Sequence, residues 1–215
     1  MNLFDLDELI MFSFYWANRG RYRATLDIGA NIGLHSVLMA KCGYEVRSFE
    51  PDPTHFAALL RNLSLNGSAR VAPENAAVSA AAGEMEFVRV LGNTTGSHLV
   101  GSKPGAYGEL ERFPVRTMAF APLLEGCDLV KLDVEGHECG VLASTTHRDW
   151  IGTDGLISVH DERNAVAVYE HCRDIQVNMF SQKSGWSQIG SINEMPASHH
   201  EGSLFLSLSE AMPWT

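Results

Sequence analysis

Two glycines, Gly29 and Gly33, lie four residues apart in the segment TLDIGANIG, between a short apolar run and an apolar-periodic segment typical of a helix. Glycine is favoured where the backbone turns tightly or where another group comes too close for a β-carbon. At the start of a helix that group can be a ligand, because free N–H groups and the helix dipole attract anionic groups there. The spacing therefore predicts either a tight connection alone or a turn that contacts a bound ligand.

Glu50 is the next residue with a possible chemical role. It lies 17 residues after Gly33, at the end of the following apolar run. A carboxylate at that point of a nucleotide-binding sheet accepts hydrogen bonds from both hydroxyls of a ribose. The dinucleotide motif GxGxxG and the Walker sequence are both absent. Their absence disfavours a nicotinamide-dependent reductase and a P-loop nucleotide site.

Polar residues follow the other predicted strands, and the acids and histidines among them could act as general acids, bases or metal ligands. These residues are Glu74 and Asn75; Asp133, Glu135, His137 and Glu138; and His160, Asp161 and Glu162. We predict His160 as the general base, since a neutral imidazole titrates near the working pH, with Asp133, Glu135 and His137 as the other catalytic candidates. No regular metal-ligand spacing is present, so the prediction includes no metal. A divalent ion held by Asp133 with His160 or Asp161 is the alternative.

Alternating short strands and helices are expected to position these residues. The pattern is typical of a parallel sheet covered by helices on both faces, in which ligands bind at the carboxyl ends of the strands. The predicted strands are 24–28, 44–49, 69–72, 84–90, 114–117, 128–133 and 156–160, and two C-terminal strands in WSQIGSI and SLFLSLS form an antiparallel hairpin. The predicted helices are 3–18, 33–43, 52–67 and 163–182.

Composition limits the class of protein. The 215 residues fit one domain, and 16 basic against 26 acidic residues give a net charge of −10. This charge disfavours a general nucleic-acid binder, which needs a basic face. Four cysteines without a CxxC pair and an acidic N-terminal segment predict a reduced, cytoplasmic protein with no membrane span. The sequence does not determine the oligomeric state, and a homodimer stays open.

Four segments, LDIGANIGLHS, FEPDP, ENAAVS and DLVKLDVEGHECGVL, resemble the FkbM family of S-adenosylmethionine-dependent methyltransferases. The similarity extends from about Thr25 to Ser144 and is most specific around Lys131-Leu-Asp133-Val-Glu135-Gly136. It implies the class I methyltransferase fold, a Rossmann-like three-layer sandwich with a seven-stranded, mostly parallel sheet and an antiparallel C-terminal hairpin. The chain departs from the family at Ser158, where family members often carry Glu.

The resemblance also implies which residues bind S-adenosylmethionine and its product S-adenosylhomocysteine. Asp27, Gly29, Ala30, Asn31 and Gly33 would line the methionine and ribose portions, and His35 and Ser36 would meet the carboxylate. Glu50 would hold the ribose hydroxyls. Pro51, Asp52, Asn75 and Ala76 would surround the adenine, and Asp133 would lie beside the amino group and the methyl-transfer point.

Residues 1–23 are then expected to pack on or over this cofactor pocket, and residues 24–215 to form the cofactor-binding domain. The glycine-rich stretch from Gly92 to Gly108 predicts a mobile loop that approaches the acceptor. The expected reaction is O-methylation of a hydroxyl on a small molecule or sugar. A nucleic-acid or protein methyltransferase, and a non-catalytic S-adenosylmethionine-binding module, are the alternatives.

Overall fold

A computed structural model describes residues 6–92, 96–102 and 108–214. The strands are β1 (Ala24–Ile28), β2 (Glu45–Phe49), β3 (Val71–Glu74), β4 (Ala77–Ser79), β5 (Gly83–Val90), β6 (His98–Leu99), β7 (Leu110–Ala119), β8 (Leu129–Leu132), β9 (Asp154–Ser158), β10 (Asn178–Ser181), β11 (Ser187–Gln188) and β12 (Ser203–Ser207). The α-helices are α1 (Leu6–Ala17), α2 (Leu34–Lys41), α3 (Pro53–Asn66), α4 (Glu138–Leu142) and α5 (Glu162–Asp174).

Eight of these strands form the main sheet, in the order β11-β10-β12-β9-β8-β1-β2-β3. From β9 to β3 every neighbouring pair is parallel, and the pairs involving β12, β10 and β11 are antiparallel. The predicted α/β class is therefore correct, whereas the expected count of seven strands is wrong by one. The strand that the sequence did not predict is β10, which lies within the predicted helix 163–182, whereas β11 lies within the predicted strand WSQIGSI.

The C-terminal part differs from the prediction in two ways. The last helix ends at Asp174, because Gln176 adopts a left-handed conformation with φ +57° and the chain then enters β10. The predicted hairpin is also wrong in its pairing, since β12 pairs with β10 and β9, and β11 pairs only with β10. β10 has only four residues, and three of them are buried. So short a segment does not show an apolar pattern that distinguishes a strand from a helix.

A second, four-stranded sheet has the order β4-β7-β5-β6. It contains the strands predicted at 84–90 and 114–117, of which the second is extended to Leu110–Ala119. The strand predicted at 69–72 lies two residues later, as β3. Of the 17 residues of the predicted mobile loop from Gly92 to Gly108, eight (93–95 and 103–107) lie outside the described residues. Its described part includes β6, which pairs with β5.

Helices cover the main sheet on both faces. Successive side chains of its central strands point to opposite faces, and those on both faces are buried. In β8, Leu129 packs on the face covered by α1 and α2, whereas Val130 and Leu132 pack on the face covered by α4 and α5. Lys131 follows the same alternation and faces the α1 side. Within the described residues, no helix is both long enough and apolar enough to cross a membrane.

The N-terminal helix α1 packs against the domain through three buried side chains, Met11, Phe14 and Tyr15. Tyr15 is the main link to the sheet: its hydroxyl lies 3.0 Å from Nδ1 of His35, and its carbonyl accepts a 2.7 Å hydrogen bond from the Tyr44 hydroxyl. The helix therefore covers the first turn of α2, where His35 lies.

Candidate functional site

The glycine turn follows β1 and lies against the end of β8. Gly29 and Gly33 have φ values of +78° and +90°. A β-carbon on Gly29 would lie 1.8 Å from the carbonyl oxygen of Asp133, and one on Gly33 would lie 2.3 Å from Cδ1 of Leu59. Both glycines are therefore required by the packing of the turn itself. Ala30, between them, is buried, and its N–H bonds to the carbonyl of Phe49 at 2.9 Å.

Glu50 closes this turn from β2. Its two carboxylate oxygens accept hydrogen bonds from the N–H groups of Asn31 (2.8 Å) and Asp52 (2.7 Å). The side chain is almost fully buried. Burial raises the pKa of Glu50 to about 7, although the two backbone bonds act in the opposite direction. The carboxylate is thus held at the strand end, where the sequence predicts a contact with ribose hydroxyls.

The residues predicted around an adenine lie beside Glu50. Asn75 donates from its amide to the carbonyls of Glu50 (2.8 Å) and Pro51 (3.1 Å), so this side chain fixes the Glu50–Pro51 backbone. Ala76 is buried next to it. Asp52 accepts from the N–H of Thr54 as the N-cap of α3.

Asp52 has a second partner in the small sheet. Arg89 donates two hydrogen bonds of 2.6 Å to the two Asp52 oxygens, and the Asp52 side chain is fully buried. Burial favours the neutral acid, but these bonds outweigh it and lower the pKa of Asp52. Its carboxylate thus joins α3 to β5.

The residues predicted to meet the cofactor carboxylate are separated in the structure. Ser36 is buried and donates to Oδ2 of Asp27, while its Oγ also lies 2.7 Å from Oγ of Ser48. His35 instead faces α1, with Nδ1 on the Tyr15 hydroxyl and Nε2 3.9 Å from Glu8. Asp27 and Ser36 therefore pack against each other next to the turn, and His35 packs against the N-terminal helix α1.

Lys131 joins the turn to the end of β8. Its buried ammonium donates to the carbonyl of Gly29 at 3.0 Å and lies 3.5 Å from Asp27 and 3.7 Å from Asp133. Burial disfavours the charged form, but the neighbouring carboxylates raise the pKa of Lys131 overall. Sequence reasoning did not place Lys131 in the site. The available signal was a lysine inside an otherwise apolar strand, two residues before a strand-end acid.

His160 and Asp133 come together because β8 and β9 are neighbours. His160 Nε2 lies 3.3 Å from Oδ1 of Asp133 and 3.7 Å from Oε2 of Glu135, and His160 Nδ1 lies 2.9 Å from Oε1 of Glu138. Burial favours the neutral ring, but the bonds to Asp133 and Glu138 raise the pKa of His160 to about 11. Lys131 and His160 likewise hold the pKa of Asp133 below its ordinary value despite burial. Glu138, named from sequence among the strand-end residues but not among the four catalytic candidates, is the fourth member of this cluster.

His137 does not join them. Its Nε2 lies 3.0 Å from Oγ of Ser79 and its Nδ1 3.2 Å from Oγ of Ser102, so the ring faces the second sheet. Gly140 lies directly against the ring, where a β-carbon would be 2.5 Å from Cε1. Burial lowers the pKa of His137. Of the four predicted catalytic residues, the structure therefore groups Asp133, Glu135 and His160 and places His137 apart.

Known proteins with similar sequences and folds are methyltransferases and related enzymes. The chain is 29% identical over 126 residues to the hexuronic acid methyltransferase AglP of Haloferax volcanii, covering 56% of this chain and 49% of AglP. It is 29% identical over 158 residues to the methyltransferase sdnD of Sordaria araneosa, covering 58% of this chain and 61% of sdnD. The chain thus spans about half to three fifths of the length of these relatives.

The fold has counterparts among solved structures. The precorrin 8w decarboxylase from Methanobacterium thermoautotrophicum superposes with a TM-score of 0.50 at 12% identity, covering 96% of this chain and 90% of that one. At this identity the likeness shows the fold alone. The model of the methyltransferase FkbM domain matches residues 27–194, which include the glycine turn, Glu50 and the His160 cluster. The chain belongs to the methyltransferase FkbM domain family.

Proposed function

We propose that this protein is an S-adenosylmethionine-dependent methyltransferase that methylates a hydroxyl group on a small molecule or sugar. The observation that carries the proposal is the position of Glu50 on the glycine turn, beside the ends of β1 and β8. A buried carboxylate at this point of a nucleotide-binding sheet accepts the two hydroxyls of a ribose.

The described residues fit this cofactor. Asn31 and Asp52 orient Glu50, Asn75 fixes the backbone beside an adenine, and Lys131 fixes the Gly29 carbonyl. We assign the remaining cofactor contacts to Gly29, Ala30, Gly33, His35, Pro51, Ala76 and Asp133, as the family resemblance implies. Asp27 and Ser36 act by supporting the turn, since both side chains are buried against each other.

The cofactor supplies a methyl group on a sulfonium centre, which is already a good leaving group. The protein must therefore align the acceptor hydroxyl and remove its proton. We assign activation of the acceptor hydroxyl to the cluster of Asp133, Glu135 and His160. In the absence of a bound cation, a pKa of about 11 keeps His160 protonated at neutral pH, so its ring is not a simple base there. His137 is a weaker candidate because its ring contacts two serines of the second sheet.

The acceptor class follows from charge and from the relatives. A net charge of −10 disfavours a nucleic-acid acceptor. One relative is named a hexuronic acid methyltransferase, which supports a sugar or other small hydroxyl compound here. We further propose a cytoplasmic location, which the four free cysteines support.

Calorimetric titration tests the cofactor assignment. We expect one S-adenosylhomocysteine per chain and no binding of NADH. Glu50→Ala should weaken binding about 10-fold or more, since hydrogen bonds to a charged group contribute about 1.5–3 kcal/mol. The control is Glu45→Ala, which removes an exposed carboxylate from the same strand and should leave the affinity unchanged. Binding of NADH alone, or equal effects of both substitutions, would contradict the assignment.

A panel of hydroxyl compounds with methyl-labelled cofactor then tests the reaction. Label should appear in sugars or small hydroxyl compounds and not in RNA or protein substrates. Cofactor binding without transfer to any acceptor class would instead indicate the non-catalytic binding module.

A further inference from the structure

His160 is surrounded by carboxylates on both ring nitrogens. Glu138 lies at Nδ1 (2.9 Å), whereas Asp133 (3.3 Å) and Glu135 (3.7 Å) both lie at Nε2. A hydrogen on Nε2 can be directed at only one of the two carboxylates. A cation between the three groups would contact both oxygens and the ring nitrogen at once.

Glu138 sets the orientation of the ring. Its side chain is fully buried, and Oε1 also accepts from the N–H groups of Val134 (3.0 Å) and Gly136 (3.2 Å). Because Glu138 is already an acceptor at Nδ1, that nitrogen carries the proton and Nε2 is the atom directed at Asp133 and Glu135. A carboxylate behind a histidine is the usual arrangement of a metal-ligating imidazole, since it fixes the tautomer and increases the basicity of the ligand.

The dimensions of the cluster fit a divalent ion. The ligand atoms of Asp133, Glu135 and His160 all lie within 4.8 Å of one another. Two ligands about 2.1 Å from one ion are separated by about 3.0–3.4 Å in octahedral or tetrahedral coordination. The measured separations of 3.3 Å and 3.7 Å are close to these values, so small side-chain movements would complete the geometry.

The backbone also brings Glu135 to the cluster. Glu135 adopts a left-handed conformation with φ +55°, followed by Gly136 with φ +95°. This turn directs the Glu135 carboxylate back towards His160. The side chains of Asp133 and Glu135 stay 34% and 23% exposed, which leaves one side of the cluster accessible to solvent and to a substrate oxygen.

We propose that Asp133, Glu135 and His160 form a binding site for one divalent cation of the Mn²⁺ or Mg²⁺ type, with Glu138 as its positioning residue. Two carboxylates and one imidazole suit such ions and leave coordination positions open. This inference goes beyond the proposed function and rests on it for its chemical role.

The ion would lower the pKa of the acceptor hydroxyl. The hydroxyl proton then passes to water, the acceptor oxygen forms the new bond to the methyl carbon, and the sulfur–methyl bond breaks to leave a thioether.

Mn²⁺ binding tests the site directly. Calorimetry and electron paramagnetic resonance of the full chain should show one Mn²⁺ per chain, and spin-echo spectra should show coupling to one imidazole nitrogen. Glu135→Gln should weaken Mn²⁺ binding at least about 10-fold, and Glu138→Gln should weaken it about 10–100-fold. Glu162→Gln is the matched control because it changes an exposed glutamate two residues after His160, and it should bind Mn²⁺ like the unmodified chain.

S-adenosylhomocysteine binding is measured on the same samples. A Glu135→Gln variant that still binds S-adenosylhomocysteine is folded, so its loss of Mn²⁺ supports the cation site. Absence of Mn²⁺ binding, bound Mn²⁺ without nitrogen coupling, or equal affinity in Glu135→Gln and Glu162→Gln would overturn the inference. These results would leave the cofactor assignment intact, whereas Mn²⁺ binding without S-adenosylhomocysteine binding would contradict only that assignment.

Discussion

At the scale of single residues, the site is built from charged groups whose neighbours determine their protonation. Glu50 is buried and its pKa is raised to about 7, while the bonds to Asp133 and Glu138 raise the pKa of His160 to about 11. The first group therefore changes charge near neutral pH and the second does not. Cofactor affinity, rather than the state of His160, should show the pH dependence.

We expect S-adenosylhomocysteine affinity to fall as the pH is lowered through 7. In the proposed cofactor site the ionised Glu50 would accept hydrogen bonds from both ribose hydroxyls, and protonation would remove its charge. Only about one tenth of a group with a pKa of 7 is ionised at pH 6, so the affinity at pH 6 should be up to about 10-fold below that at pH 8. Calorimetry over this range measures the change.

Glu50→Gln provides the control for this pH dependence. The substituted side chain does not titrate, so any remaining slope belongs to the ligand or to other groups. An identical slope in Glu50→Gln and the unmodified chain would exclude Glu50 as its source.

Gly29→Ala should destabilise the fold as well as the site. The added β-carbon would overlap the Asp133 carbonyl oxygen, and Gly29 has a positive φ that alanine adopts poorly. Overpacking and a strained backbone together should cost about 2–4 kcal/mol. Chemical denaturation measures this loss. Gly20→Ala is the control, since nothing lies within 4 Å of its β-carbon position. Equal stability of the two variants would show that the turn adjusts freely.

At the scale of elements, a buried ion pair joins the small sheet to the start of α3. Arg89 on β5 binds the buried Asp52 carboxylate at the start of α3, next to Glu50. The lowered pKa of Asp52 means that this bond stabilises the fold above the unfolded value of about 4 and is lost as the pH falls below it. The Arg89–Asp52 ion pair thus holds the small sheet against the start of α3, beside the candidate cofactor site.

Arg89→Ala should lower the free energy of unfolding by about 3–5 kcal/mol at pH 7, because it leaves a buried carboxylate without its partner. Arg112→Ala is the matched control: its partner Glu86 lies on β5, and both side chains are about half exposed. Exposed pairs contribute about 0–1 kcal/mol. Urea denaturation at pH 7 and pH 3 measures both effects, and the difference between the variants should diminish at pH 3. A small effect of Arg89→Ala at pH 7 would contradict the connection.

At the scale of the whole molecule, the polar residues gather at one edge of the main sheet, at the carboxyl ends of β1, β2, β8 and β9. The opposite edge holds a cavity of about 370 Å³, lined by Arg21, Asp128, Trp150 and Ser207 among others. There Asp154 accepts hydrogen bonds from the hydroxyls of Tyr22 (2.7 Å) and Ser207 (2.6 Å). None of the residues that line this cavity is one of the predicted site residues.

Hydrogen exchange distinguishes the two edges. S-adenosylhomocysteine should slow exchange in three segments distant in sequence, 28–36, 50–54 and 133–138, since all three lie at the carboxyl edge. Exchange in 150–154, at the cavity, should stay unchanged. Protection confined to 150–154 would place the ligand at the wrong edge of the sheet for the proposed function.

Local patterns in the sequence determined much of this protein. The glycine turn, the Asp52–Pro53 helix start and the alternating strands predicted the parallel half of the sheet, because capping and periodicity act over a few residues. Only the tertiary structure decided that β10 is a strand, since its partner β12 is distant in the chain. The sequence already placed His160 near Asp133, as possible ligands of one ion. The contacts of His160 with Glu138 and of Lys131 with Gly29 appeared only in the tertiary structure, because no local pattern records which side chains face each other across neighbouring elements.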